Sequence, residues 1–346
     1  MYRSIKVTAL LLSSLAFWEP STSSAADSVA EFYKKTPITI YVASGPGGGF
    51  DAYARVLAAH LGRHVPGNPS IVAKNMPGAT GLVAMNYLYN SAPRDGSAIL
   101  AAFNTALLSP LYGDKNAKFD PRNMEWLGSI GKQTGTCLTW HTSPVKTIDD
   151  AKRKESLMGA TGDGSTPVMF PRLLNAMVGT KFKVISGYST PGMRMAVESG
   201  EVEGICGVAW ETHMASVPGW ILDKKVNFLA QLGLSESVHL KGVPLAIDMI
   251  KGAADRDIYK LLVIPQEFGR PFLLPPEIAT ERLQALQKAF TDTLEDQTYR
   301  ADAKRAGQFI DALTPAAAKA LVSQAYAAPR EILARAAEYD GAGSGN

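Results

Sequence analysis

Few of the 346 residues carry reactive chemistry: there are two cysteines and five histidines. The histidines are scattered with no His-Glu-x-x-His spacing, and no zinc-ligand pattern appears, so no metal or other cofactor is expected. The formal net charge is only +3, and no lysine and arginine run interleaves with aromatics, which argues against a nucleic-acid partner. No segment is apolar for the ~20 residues needed to cross a bilayer. Ser165 and Ser189 both miss the Gly-x-Ser-x-Gly elbow of hydrolases, because Pro167 and Pro191 replace its closing glycine.

The N-terminus reads as an export signal. Arg3 and Lys6 give a basic start, Val7 to Trp18 a short apolar stretch, and Ser24-Ala25-Ala26 a small-residue cleavage site before Asp27. Residues 1–26 are therefore expected to be removed, leaving a soluble mature chain in the periplasm; a retained anchor is the alternative. In that oxidising compartment Cys137 and Cys206, each in a strand-like run, are expected to pair as a disulfide. The alternative is two small buried hydrophobes.

What the chain does have is alternation. Its length suggests roughly two domains. With 46% apolar and 19% charged residues it can bury a large core. Strand-like runs fall at 37–43, 69–75, 97–102, 125–130, 136–140, 156–161, 182–186, 203–208, 226–232 and 261–264, with helix-like runs between them. The pattern predicts an α/β fold with mainly parallel sheets. The C-terminal helical stretch from Pro315 should break at Pro329, and the tail Gly341 to Asn346 reads as a disordered end.

Glycine turns punctuate this alternation. Ser44-Gly45-Pro46-Gly47-Gly48-Gly49-Phe50-Asp51 follows one strand and opens a helix. Helix N-termini present unpaired amides and partial positive charge, so such a turn favours an anion. Phe50 stands where the dinucleotide fingerprint needs its last glycine, and no lysine follows as a nucleotide-phosphate loop requires. A smaller anion such as a carboxylate fits better; a tight turn with no ligand is the alternative. Similar turns run over Asn75 to Gly81, Ala160 to Pro167 and Gly187 to Gly192. They form two groups, one per half of the chain, which suggests two lobes facing a cleft at the carboxyl ends of their strands.

On these residues the chain resembles the periplasmic receptors of tripartite tricarboxylate transporters, the Bug or TctC-type solute-binding family. The matching pieces are Gly45 to Asp51 with Arg55; Lys74 to Gly81; Ala92 to Ser97; Gly162 to Ser165; Tyr188; and Gly200 to Glu203. The resemblance implies a two-lobe Venus flytrap with two interdomain crossings, near Ile130 to Thr134 and Leu229 to Leu232. Lobe one would hold 27–131 plus 230–312 and lobe two 132–229, with the C-terminal segment 313–346 packing its helix back on lobe two. It further implies a monomer that captures a small organic carboxylate through backbone amides and delivers it to a membrane permease, not an enzyme.

Carried over by position, the resemblance marks Gly47, Gly48, Gly49, Phe50 and Asp51 of the first loop; Gly78, Ala79 and Thr80 of the second; and Asn104 and Thr105 after the third strand. In lobe two it marks Gly164, Ser165, Thr166, Tyr188 and Ser189. Phe50 replaces the small residue common at its place, and Gly207 stands where many relatives have an acid. Phe50, Phe103 and Trp210 are candidates to pack on a carbon skeleton, Phe50 first. Asp51 and Asp163 read better as turn or cap residues than as ligands. His141, Glu211 and His213 read as solvated surface. A hydrolase or transferase acting on a carboxylated substrate, or a ligand-presenting sensor, are the alternative functions.

Overall fold

The computed structural model describes residues 25–162 and 164–340. The part of the expected export segment up to Ser24, Asp163 and the tail from Gly341 lie outside the described residues.

Among the described residues ten strands run in chain order as β1 (Ile38–Val42), β2 (Ile71–Asn75), β3 (Ala98–Ala101), β4 (Glu125–Ser129), β5 (Gly135–Trp140), β6 (Ser156–Gly159), β7 (Phe182–Ile185), β8 (Gly204–Ala209), β9 (Val226–Leu232) and β10 (Pro271–Leu274). They build two five-stranded sheets, ordered β2-β1-β3-β10-β4 and β7-β6-β8-β5-β9. In the first sheet only β10 opposes its neighbours; in the second only β5 does. Each odd strand is the one the chain enters on arriving from the other sheet. The remaining strands share one direction, so their carboxyl ends and the turns that follow gather on one side.

Two expectations need correction. Leu261-Leu262-Val263-Ile264 is not a strand but part of the helix Ala253–Phe268, where Leu261 to Gln266 are all buried. A helix buried all round has no polar stripe, so its apolar run carries no period that separates it from a strand. The actual strand, β10, is four buried residues led by a proline, too short to announce itself. A helix over Ala25–Lys35 was also not expected; its Val29 and Tyr33 are buried, and the Tyr33 hydroxyl donates to Gly96 O at 3.2 Å.

The chain leaves the first sheet through residues 130–134, between β4 and β5. Its return lies further on than Leu232, because β9 continues to Leu232 and the short helix Ala246–Met249 packs on β9. The expected boundary at Leu229 thus falls inside a strand. The return strand is β10. The two crossings are paired: Ile130 N–H donates to Arg270 O and Arg270 N–H to Gly131 O, both at 3.1 Å, while Gln133 N–H donates to Gln266 O at 2.9 Å. Gly269 makes this closeness possible, since at φ +53° a Cβ there would stand 1.7 Å from Gly131 O.

After β10 the helix Thr280–Glu295 packs on β4, the helix Gln297–Arg305 packs on that helix and on the helix Gly49–Leu61, and Pro329 divides the C-terminal segment into the helices Pro315–Tyr326 and Arg330–Asp340. The first of these packs on β4; the second packs on the Ala253 helix and on the helix Thr166–Val178 of the second lobe. The C-terminal segment therefore spans both lobes rather than returning to one. Cys137 and Cys206 stand opposite each other in the β5–β8 register, fully buried, and are joined by a disulfide.

Candidate functional site

The turns at the strand ends enclose a cavity of about 590 Å³. Its walls come from Ser44 to Phe50, Thr80 and Phe103 to Thr105 on the first lobe, and from Thr161, Gly162, Ser165 to Pro167, Arg194, Gly207 to Ala209 and Thr212 of the second; Gln133, Gln266 and Arg270 of the crossings close its back. The volume suits a small metabolite.

The first loop is shaped by its own aspartate. Asp51, 3% exposed, accepts the Gly47 N–H at 2.9 Å and Arg55 Nε at 3.0 Å on Oδ2, and Asn75 Nδ2 at 2.7 Å on Oδ1. Asn75 Nδ2 also donates to Ser44 O, tying the loop to the end of β2. Burial pushes the Asp51 carboxyl up, but Arg55, Gly47 and Asn75 together outweigh it and hold it below the usual range. Asp51 is not in the cavity wall. It also takes up the Gly47 amide, so that donor is spent on the loop. The amides of the helix Gly49–Leu61 remain at the wall, with no side-chain cap on its first turn.

The second turn is strained. Ala79 and Thr80 both adopt positive φ, +44° and +50°, between Gly78 and Gly81. Side chains disfavour that region, and such conformations concentrate where a ligand is held. Thr80 reaches the cavity; Gly78 and Ala79 do not line it. After β3, Asn104 is buried and consumed locally: Nδ2 donates to Pro265 O at 2.7 Å and Oδ1 accepts from Thr105 N. The Thr105 hydroxyl is buried without a partner.

On the second lobe Ser165 stands at the N-terminus of the Thr166 helix, yet its Oγ caps nothing and has no partner. It faces the cavity with Thr161, Gly162 and Thr166, whereas Gly164, Tyr188 and Ser189 lie off the wall. The Tyr188 hydroxyl donates to Glu201 at 2.7 Å, and Ser189 caps the helix Thr190–Ser199 by accepting from Gly192 N–H. Gly207 has a steric explanation: at φ +105° a Cβ would lie 2.4 Å from Thr166 O. An acid at that position would push the Thr166 helix off β8.

The sequence reading missed the most charged part of the wall. Arg270 is 4% exposed, with Cζ 4.3 Å above the Phe50 ring and 5.0 Å above that of Tyr53. Its Nη2 donates to Thr212 Oγ1 at 3.2 Å. The Gln133 amide oxygen, assigned from the bonding pattern, accepts Nη1 at 2.8 Å and Nη2 at 2.9 Å. Burial pulls the Arg270 pKa down, while Tyr53 and Glu211 oppose that pull. One signal was readable: Arg270 stands in Phe268-Gly269-Arg270-Pro271-Phe272, flanked on both sides by apolar residues that leave it little chance of reaching water.

Phe50 stacks on Phe103 at 4.6 Å as well as on Arg270, and its half-buried ring forms part of the cavity wall. Trp210 is buried against His239 at 4.1 Å and Phe309 at 4.8 Å and is absent from the wall. Glu211 and His213 are not solvated surface. Glu211 is 7% exposed, accepts the Thr134 N–H at 3.1 Å, and has its pKa pushed up to about 7, chiefly by burial. His213 is fully buried with neither ring nitrogen bonded, and burial pushes its pKa down to about 3. Both lie on the short helix Trp210–Ser216, where Glu211 meets the first crossing at Thr134 and His213 stacks on Trp220 at 5.9 Å. His141 is exposed.

No protein-family model matches the chain. Over 189 residues it is 24% identical to a UPF0065 protein of Bordetella bronchiseptica, a match covering 52% of this chain and 56% of that one. The chain thus spans little more than half the length of this relative. Solved structures align over far more. A TctC solute-binding protein from Polaromonas superposes with a TM-score of 0.63 at 18% identity, over 90% of this chain and 98% of the other. The periplasmic binding protein BugD gives 0.63 at 18% identity over 88% and 96%. An R. palustris protein solved with adipate gives 0.66 at 17% identity over 88% and 98%. The chain has the two-lobed α/β fold of the TctC- and Bug-type periplasmic binding proteins.

Proposed function

We propose that the chain is a periplasmic receptor of the tripartite tricarboxylate type, which captures a small organic carboxylate between its lobes and delivers it to a membrane permease. The observation that carries this reading is the cleft itself. Uncapped amides of the Gly49 helix and the free Ser165 hydroxyl at the Thr166 helix face one cavity from opposite lobes. Helix N-termini favour anions, and charge-assisted hydrogen bonds hold them at roughly 1.5–3 kcal/mol each. Adipate in the similar R. palustris structure supports a carboxylate as the ligand class. Closure around the ligand excludes water and strengthens those bonds.

A receptor, and not an enzyme, fits the side chains. The Ser165 hydroxyl has no partner base, the ring nitrogens of His213 have no partner at all, and both cysteines are bonded to each other. Among the described residues of the cavity wall, no nucleophile sits beside a base. The test is a thermal-shift screen over small organic acids, followed by calorimetry and solution scattering on the best binder. A carboxylate should raise the melting temperature and compact the protein. No stabilisation by any acid, or turnover of the bound one, would reject the reading.

A further inference from the structure

Arg270 is a buried cation without an anion. It is 4% exposed and forms no ion pair among the described residues; its partners, Gln133 and Thr212, are neutral. The nearest influence of opposite sign is Glu211, whose carboxyl is held by the Thr134 N–H and raised to about 7, with Asp311 pushing it further up. A buried charge is costly unless it is paired. Here the guanidinium is walled by Phe50 and Tyr53, braced by Gln133, and open to the cavity. That is the arrangement of a group waiting for a ligand's charge.

A second cation faces the same space. Arg194, half-buried on the Thr190 helix of the other lobe, lines the cavity and makes no ion pair or side-chain hydrogen bond among the described residues. Its neighbour His213 is uncharged. Among the described residues, the cavity wall holds these two arginines and no aspartate, glutamate or lysine. Arg270 comes from the return crossing just before β10, Arg194 from the second sheet's helical cover. An anion reaching both would couple charge neutralisation to the closing of the lobes.

We propose that Arg270 and Arg194 are the charge-matching groups of the cleft, so that the protein selects an organic dianion with two carboxylates over a monocarboxylate of equal length. This rests on the cleft being the carboxylate site, and adds that side-chain charge, not amides alone, sets the selectivity. Arg270 is the anchor, held in place by Gln133; Arg194 meets the far end of the ligand.

The experiment is calorimetric titration of the full chain with the linear dicarboxylates from malonate to suberate and with the monocarboxylates of matching carbon number. The best dicarboxylate should bind about a hundredfold tighter than its monocarboxylate counterpart. Arg194→Gln should reduce that preference about tenfold, weakening the dicarboxylates more than the monocarboxylates, with the melting temperature of the unliganded protein unchanged. Arg270→Lys should weaken every acid in the series, because a point charge cannot reproduce the guanidinium fork braced by Gln133. Should Arg270→Lys fail to fold, Arg194→Gln alone decides the matter. Equal binding of mono- and dicarboxylates, or an Arg194→Gln protein with unaltered preference, overturns this inference and leaves the receptor reading standing. Failure of the whole series to bind overturns this inference, and the receptor reading falls with it only if the wider screen of organic acids also finds no binder.

Discussion

A Cβ on Gly49 would stand 3.0 Å from Nη2 of Arg270, so the first residue of the loop's helix and the buried arginine of the return crossing share one space. The glycine loop is thus more than a source of amides. It leaves room for a guanidinium that arrives from more than two hundred residues further along the chain.

Gly49→Ala should therefore move the arginine without unfolding the protein. The added methyl favours the helix, so global stability by urea unfolding should stay within about 0.5 kcal/mol of the parent. Affinity for the best carboxylate should fall about tenfold, roughly 1.4 kcal/mol by calorimetry. Unchanged affinity would mean that the guanidinium does not hold the ligand.

Gly48→Asp separates fold from binding in another way. Gly48 has extended backbone, φ −78° and ψ 166°, and a Cβ there meets only ordinary contacts at 3.6 and 3.8 Å. Aspartate at an N-cap is favourable by a few tenths of a kcal/mol over glycine. The melting temperature should hold or rise slightly. Carboxylate affinity should drop about a hundredfold, because the new charge sits where the ligand's charge must go.

Asp51 should behave as a structural acid. Its pKa is depressed in the fold, so its contribution to stability is present above the usual value of 3.8 and disappears as pH falls through its lower folded value. Asp51→Ala leaves the Gly47 amide, Arg55 and Asn75 without their acceptor, and should cost about 2 kcal/mol near neutral pH. The difference from the parent should shrink in acid; urea unfolding across pH reads it directly.

Glu211 has the opposite sign. Its pKa is raised from 4.5 to about 7, so the folded state keeps a proton that the unfolded chain releases in that window. Stability should fall as pH rises from 4.5 to 7. Glu211→Gln keeps an acceptor for Thr134 and removes the titration. Its advantage over the parent should grow through that window and level off above it, read as melting temperature against pH.

The disulfide closes a separation of 69 residues. Chain entropy alone assigns such a link about 4 kcal/mol. Replacing both Cys137 and Cys206 with alanine should lower stability by that order, since the bond is buried between β5 and β8 in the body of the second sheet. An unaffected urea midpoint would show that the paired strands hold without it.

The alternation of β-branched runs, glycine turns and amphipathic helices was legible because neighbours along the chain decide it. β1 to β9, the break at Pro329 and the gathering of turns at the strand ends all follow from local pattern. Of the positions marked from sequence, Gly47 to Phe50, Thr80, Asn104, Thr105, Ser165 and Thr166 lie in the cavity wall; Asp51, Gly78, Ala79, Gly164, Tyr188 and Ser189 stand outside it. The wall residues sit directly at turn tips. Those outside point into local hydrogen bonds or support the tips from behind, a distinction that spacing does not carry.

Sequence alone determined the α/β alternation and the anion-friendly turns, since period, punctuation and helix ends are properties of contiguous residues. Tertiary structure decided everything that depends on distant segments meeting. It placed Gly269 against Gly131, the Thr166 helix against Gly207, and Arg270 beneath Phe50 with Gln133 to brace it. Whether a charge is buried, and whether an acid stands near enough to cancel it, depends on what surrounds it in space, and one chain read from end to end does not say which parts of it will be neighbours.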